Sequence, residues 1–75
     1  MPKQHEGTVV QITGPVLDIR FPDGELPELL NAIHVDNGGK PLTVEVAQLI
    51  GDNVARCIAM SSTDGLVRGT DAVDT

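Results

Sequence analysis

The chain has 75 residues, a net charge of −6 at pH 7 and one aromatic residue, Phe21. This length predicts one small domain, and its five scattered basic residues exclude the clustered positive surface that nucleic acid requires. The single cysteine, Cys57, excludes an internal disulfide and favours a reducing compartment. No apolar run approaches the roughly 20 residues that cross a bilayer, so we expect no direct membrane insertion.

The N-terminal part predicts a flexible tail and two short strands. Residues 1–6 are polar and form the tail, and residues 7–13 are rich in β-branched side chains that favour a strand. The second strand, 16–21, alternates between apolar and charged side chains, which indicates one buried face. Its apolar face is assigned to the core: Leu17, Ile19 and Phe21.

The middle of the chain predicts a turn, one helical turn and a third strand. Residues 25–31 (ELPELLN) could form a helical turn after Pro27. Residues 32–36 predict a strand with His34 facing outward. The following Asn-Gly-Gly-Lys at 37–40 is typical of a hairpin turn.

The longest regular unit is predicted at 42–60. Residues 42–49 form a strand with Val44 and Val46 assigned to the core, and Gly-Asp-Asn at 51–53 supplies a turn. The fifth strand, 54–59, is apolar on both faces, which suggests cover on both sides. Arg56 would reach either a rim or a carboxylate.

A weak sixth strand at 71–75 is visible mainly through Val73. Six short strands, frequent Gly and Pro turns and no long helix predict an all-β fold, a small closed six-stranded antiparallel barrel over 7–75. Closure suits such a short chain because it removes exposed edges.

Few residues suggest chemistry. Gly-Gly-Lys-Pro at 38–41 is the nearest approach to a phosphate loop, but Pro41 stands where such a loop needs Ser or Thr. His5 and His34 are too far apart in sequence to suggest zinc, and Cys57 is interpreted as a small buried strand residue rather than a nucleophile. The acidic residues of 18–28 are interpreted as a solvated face or ion-pair partners. We therefore predict no catalytic, cofactor or metal site.

Several motifs in order give the chain a family resemblance. They are LTVEVAQ at 42–48, the turn at 51–53, RCIAM at 56–60, STDGLVRG at 62–69, and ITGPVLDI and FPDGELP at 12–19 and 21–27. In this order and spacing they resemble the N-terminal domain of the β subunit of F-type ATP synthase.

The resemblance implies a structural role rather than catalysis. In that family this domain is a six-stranded barrel, and barrels of α and β subunits alternate in a ring that holds the catalytic head together. Mg-ATP and ADP bind in a separate nucleotide domain, which these 75 residues do not contain. The implied partners are α subunits and the rest of the F1 complex. The implied location is peripheral, on the cytoplasmic face of an energy-transducing membrane such as a bacterial plasma membrane, with ATP synthesis coupled to proton or sodium transport.

The turn between the last two strands is the candidate subunit interface. Its residues are Asp64, Leu66, Val67 and Arg68, of which the two apolar ones look exposed. Arg68 either crosses a subunit boundary or pairs locally with an aspartate. The alternative function is a free-standing small barrel that binds a peptide or nucleic acid; charge and the lack of aromatics disfavour nucleic acid.

Overall fold

The computed structural model describes residues 5–74, with only the backbone of His5, and consists of six antiparallel strands closed into a barrel. The strands are β1 (His5–Thr13), β2 (Val16–Arg20), β3 (Ala32–Asn37), β4 (Lys40–Gly51), β5 (Val54–Ala59) and β6 (Asp71–Asp74). Their order around the barrel is β1-β2-β5-β4-β3-β6, and β6 pairs back with β1. The predicted fold class is confirmed. Within residues 5–74 there is no helix, and hence none long and apolar enough to cross a membrane.

The barrel closes because β1 pairs with two strands, β6 along its first half and β2 along its second half. Its first half pairs with β6, where Glu6 lies opposite Val73 and Gly7 opposite Ala72. Its second half pairs with β2, and a register shift between Val9 and Gln11 bends the strand between the two partners. The start of β1 lies two residues earlier than predicted, so the predicted tail is wrong for residues 5–6. Residues 1–4 of that tail lie outside the described residues.

The interior is filled by large residues on some strands and small residues on others. The five residues assigned to the core are all buried: Leu17, Ile19, Phe21, Val44 and Val46. The inward side chains of neighbouring strands differ in size: Leu17 of β2 lies beside Cys57 of β5, and Ile19 lies beside Ala55. Small barrels have a narrow interior, so a strand of large residues needs a neighbour of small ones.

The inward face of β5 differs from what its apolar pattern suggested. Ala55 and Cys57 are fully buried, so its small residues form the inside of the barrel and are not left over for a second covering layer. The outer face carries Arg56, which is half-buried, and Ile58, which is exposed. The volume left by the bulky side chains of β2 decides this orientation.

The predicted turns are confirmed by their backbone angles. Gly38 and Gly39 form the two-residue turn between β3 and β4 with φ of 62° and 87°, the left-handed geometry that such hairpins need. Gly51, Asp52 and Asn53 all have positive φ between β4 and β5. These are residue types that tolerate this region well.

One expectation about local structure is wrong. Residues 25–31 form no helical turn; instead Leu30 N–H donates to the carbonyl of Val46 at 2.8 Å, and Val46 N–H donates to that of Asn31 at 3.0 Å. The segment therefore forms backbone hydrogen bonds with β4, and these bonds stabilise it more than an isolated helical turn would. In β6 the fully buried side chain belongs to Ala72, whereas Val73 is only half-buried.

Candidate functional site

The antiparallel strands place the connections at two ends of the barrel. One end holds the β1–β2 and β3–β4 turns together with the β5–β6 loop (residues 60–70). The opposite end holds the β4–β5 turn and the β2–β3 loop (residues 21–31). Because the barrel formed by residues 5–74 is closed, none of its six strands has a free edge to accept an added strand. Any protein contact must use outward side chains or these loops.

The β5–β6 loop is fastened to both neighbouring turns. The Thr63 hydroxyl donates to the carbonyl of Gly14 at 3.0 Å, and the Asn37 side-chain amide donates to that of Asp64 at 3.3 Å. At its end the loop runs beside β1, where Gly69 N–H donates to the Val9 carbonyl at 2.7 Å. These bonds give the loop a defined position on the barrel end.

The predicted interface residues divide into surface and core. Asp64 and Arg68 are exposed, and the Val67 side chain is 64% exposed. Leu66 is half-buried and packs against the hydrophobic core, so its expected exposure is wrong. Its N–H donates to the Thr63 carbonyl at 3.0 Å, and this tight turn directs Leu66 inward. Within residues 6–74, Arg68 has no hydrogen-bond or ion-pair partner, so the alternative of a local pair with an aspartate is not realised there.

Two more exposed apolar side chains lie on or just after β5. Ile58 is 37% exposed on the outer face, between Val16 of β2 and Glu45 of β4. Met60 is 56% exposed, and its N–H donates to the Thr43 carbonyl at 2.9 Å. Ile58, Met60 and Val67 are hereafter called the β5-end apolar residues.

A second apolar set at the opposite end was missed by sequence reasoning. It consists of Leu29, Leu30, Leu49 and Ile50, hereafter called the leucine end. Leu30 is 73% exposed and has a φ of 71°, unusual for a branched side chain. The pair of adjacent leucines was a usable signal, but their predicted helical turn hid it. A large apolar side chain held in a strained, exposed position is a pointer to a contact site.

The leucine end is also fastened to the barrel. Phe21 N–H donates to the carbonyl of Asn53 at 2.8 Å, and the Asn53 side-chain amide donates to the carboxylate of Asp23. These contacts tie the β2–β3 loop to the β4–β5 turn. Both ends of the barrel therefore present apolar side chains on ordered loops.

An ion pair joins two neighbouring strands on the outer wall. Arg56 of β5 donates two hydrogen bonds to Asp18 of β2, Nε to Oδ1 at 3.0 Å and Nη2 to Oδ2 at 3.3 Å. The hydrogen bond and charge of Asp18 raise the pKa of Arg56 above its ordinary value. Asp18 is buried although it points outward, since the guanidinium covers it. The predicted carboxylate partner of Arg56 is thus Asp18, and the pair belongs to the barrel wall.

The buried position of Cys57 inside the barrel controls the reactivity of its thiol. Burial, and to a lesser extent the charge of Asp18, raises the pKa of the Cys57 thiol to about 12. Its Sγ is directed to the carbonyl of Ala55 at 3.7 Å. A thiol at neutral pH is a poor nucleophile, which agrees with its interpretation as a buried strand residue.

We expect alkaline pH to destabilise the fold through Cys57. The unfolded thiol ionises near its ordinary pKa of 9.0, whereas the folded thiol resists ionisation until about 12. Because the pKa of Cys57 is raised in the folded state, the stability that its protonated thiol contributes is fully present below pH 9.0. That stability is lost as pH rises toward 12. Urea unfolding across this window should show a free energy of unfolding that falls more steeply in the parent than in Cys57→Ala. Equal slopes in the two proteins would contradict the assignment.

Among residues 6–74 no three His, Cys, Asp or Glu side chains are grouped as a metal site would require. One depression on the outer wall is lined by Asp18 and Arg56, and these two side chains already pair with each other. The features that stand out are the exposed apolar side chains and Arg68, which has no partner among residues 6–74. These features suit contact with other proteins.

Comparison of the sequence with known protein families identifies the family of this barrel. The family described as the ATP synthase alpha/beta family, beta-barrel domain, matches residues 9–75. The match covers all six strands except the start of β1. The chain belongs to the ATP synthase alpha/beta family and is its β-barrel domain.

Proposed function

We propose that the chain is the N-terminal barrel of a β-type subunit and joins neighbouring subunits in the ring of the F1 head. The family assignment over residues 9–75 implies a place in an ATP synthase complex. The motifs at 42–48 and 62–69 favour the β-type subunit. On this proposal the barrel is a scaffold, α-type barrels are its partners, and the parent subunit's nucleotide domain makes or hydrolyses ATP at an ion-transporting membrane.

The observation that carries the proposal is exposed apolar surface at both ends of a barrel whose interior is already full. A head-to-tail ring uses two different patches on each subunit, one for each neighbour. The β5-end apolar residues and the leucine end are two such patches. The alternative, a free-standing peptide binder, needs one apolar groove or one free sheet edge, and closure removes the edge.

The accessible surface area of the chain limits how stable an interface one apolar patch can form by itself. A standard interface buries about 800 Å² on each partner, which is about one-sixth of this chain's 4695 Å² of accessible surface. Two neighbours would therefore need about a third of the surface, more than three or four exposed apolar side chains supply. We expect the isolated chain to be monomeric and to assemble only with further contacts from the nucleotide domains.

The proposal predicts that Arg68→Ala in the full-length subunit weakens assembly with α-type subunits. Arg68 is exposed and unpaired within residues 6–74, and an Arg that completes an interface pair contributes roughly tenfold or more to affinity. Native mass spectrometry of subunit mixtures should show the loss. The thermal midpoint of the isolated 75-residue chain should stay within a few degrees of the parent.

The matched control is Arg20→Ala, which removes the same charge from an exposed position at the end of β2. Arg20 lies at the end of the barrel that carries the leucine end, so we expect this variant to leave the contact through the β5–β6 loop unchanged. If Arg68→Ala destabilises the isolated chain as much as it weakens assembly, Arg68 supports the loop internally and is no contact residue. If both variants assemble like the parent, this loop lies outside the ring contact.

A further inference from the structure

The β3–β4 turn combines an Asn-Gly-Gly sequence with a side-chain contact to the β5–β6 loop. Asn37 ends β3 and is followed directly by Gly38 and Gly39. Its side-chain amide crosses to the β5–β6 loop and donates to the Asp64 carbonyl at 3.3 Å. Together with the bond from Thr63 to Gly14, this side-chain bond fastens that loop to the neighbouring turns.

The backbone nitrogen that follows Asn37 is open to reaction. Gly38 has no side chain to shield it, is exposed, and lies in the left-handed region at φ 62°. Within residues 5–74 its N–H makes no hydrogen bond, since the turn closes through the Asn37 and Lys40 pair. An amide nitrogen that is neither shielded nor bonded can approach the preceding side-chain carbonyl.

We propose that Asn37–Gly38 is a site of self-catalysed deamidation that releases the β5–β6 loop. The Gly38 nitrogen attacks Cγ of Asn37, gives up its proton and forms a new C–N bond. The Cγ–Nδ2 bond breaks and ammonia leaves, so a cyclic succinimide remains. Water then adds across either imide bond, which yields aspartate or isoaspartate at position 37 with no oxidant or reductant.

The product cannot keep the contact that holds the loop. A carboxylate has no hydrogen to donate to the Asp64 carbonyl, so two acceptors would face each other. The new negative charge also lies beside Asp36, in a chain that already carries −6. The loop then depends on its bonds to Gly14 and β1 alone among those described. Val67 and Arg68 lie in the released segment.

The native contact also controls the reaction. The hydrogen bond to Asp64 restrains rotation of the Asn37 side chain, so we infer that this bond must break before Cγ can turn toward the Gly38 nitrogen. Reaction proceeds when the loop opens, so the rate reports how often the contact breaks. The proposal is independent of the ring function, because both readouts below need only the chain itself.

The first readout is the site of ammonia loss. The parent chain is incubated for weeks in neutral and in mildly alkaline buffer, and its peptides are mapped by mass spectrometry and by isoaspartate methyltransferase labelling. Asn31 and Asn53 serve as internal controls, since Ala32 and Val54 follow them and shield their backbone nitrogens. We expect modification at Asn37 first, faster in alkaline buffer, and none in Asn37→Gln, where the ring would be larger. Modification at Asn31 or Asn53 at the same rate would overturn the proposal.

The second readout is the release of the loop. Asn37→Asp carries the product charge from the start, and trypsin cleavage after the exposed Arg68 reports opening of the loop. We expect cleavage after Arg68 to rise by about fivefold, the factor that loss of one hydrogen bond produces. Cleavage after Arg56, within β5, should stay unchanged because the barrel remains folded. An unchanged rate at Arg68, or an equal rise at both sites, would overturn loop release.

Discussion

Replacing Phe21 by alanine is expected to unfold the domain, or nearly so, at room temperature. The side chain is 2% exposed and is the largest in the core. Its ring lies where β2 ends and the β2–β3 loop begins, and its N–H donates to the carbonyl of Asn53 in the adjacent β4–β5 turn. Core Phe→Ala substitutions cost about 3–5 kcal/mol, and a core this small seldom supplies more than that.

The measurement is urea or thermal unfolding followed by far-UV circular dichroism. Leu29→Ala is the matched control, since it also truncates a large apolar side chain, but one that is 55% exposed. We expect the control to shift the free energy of unfolding by no more than about 0.5 kcal/mol. If Phe21→Ala melts within a few degrees of the parent, the interior rearranges around the lost ring and the core does not depend on Phe21.

The second large effect on stability is expected when Gly7, the smallest buried residue, is replaced by alanine. A β-carbon at this position would lie 2.8 Å from the Arg20 carbonyl oxygen and 2.9 Å from both Ile19 and the Phe21 ring. The carbonyl belongs to the neighbouring strand β2 and cannot rotate away. We therefore expect Gly7→Ala to cost about 1–3 kcal/mol through overpacking.

Thr8→Ala is the control for Gly7→Ala, because it changes the next residue of β1, which is exposed. The origin of the effect can be tested by combination with Phe21→Leu, which removes part of the obstructing ring. We expect Gly7→Ala to cost less in the Phe21→Leu background than alone, with a coupling energy of at least about 0.5 kcal/mol. Strict additivity would show that the ring is not what Gly7 accommodates.

These two predictions describe one packing arrangement. Gly7 lies opposite Ala72 where β1 pairs with β6, and the absence of a side chain there leaves room for the ring of Phe21. The same exchange of volume recurs between β2 and β5, where Leu17 and Ile19 neighbour Cys57 and Ala55. A barrel of six short strands thus buries its large side chains on few strands and keeps the neighbours small.

Sequence alone was sufficient for the strand pattern and for two hairpin turns of this chain. Alternation in 16–21 and 42–46 identified the inward residues of β2 and β4, because side chains in a strand point to opposite faces in turn. The two hairpin turns were predicted from Asn-Gly-Gly and Gly-Asp-Asn, since these residue types tolerate positive φ. The number of strands and the closed all-β class follow from these local patterns.

The candidate site was only partly predictable. The position of Val67 and Arg68 in an exposed turn follows from their polar and glycine neighbours. The inward turn of Leu66 does not, because it depends on a free space in the core that only the assembled barrel defines. Leu29 and Leu30 were assigned to a helical turn because the backbone partner that holds them, Val46, is distant in sequence.

The tertiary structure decided everything that depends on partners distant in the chain. The order β1-β2-β5-β4-β3-β6 and the closing pair of β1 with β6 join segments far apart in sequence, which no local period encodes. The inward face of β5 was undecided in a strand that is apolar on both sides. It was settled by volume, since Ala55 and Cys57 fit beside Leu17 and Ile19, whereas Arg56 finds the Asp18 carboxylate on the outer wall. Local sequence thus specified which residues form strands and turns, and packing in three dimensions selected which surfaces remain exposed.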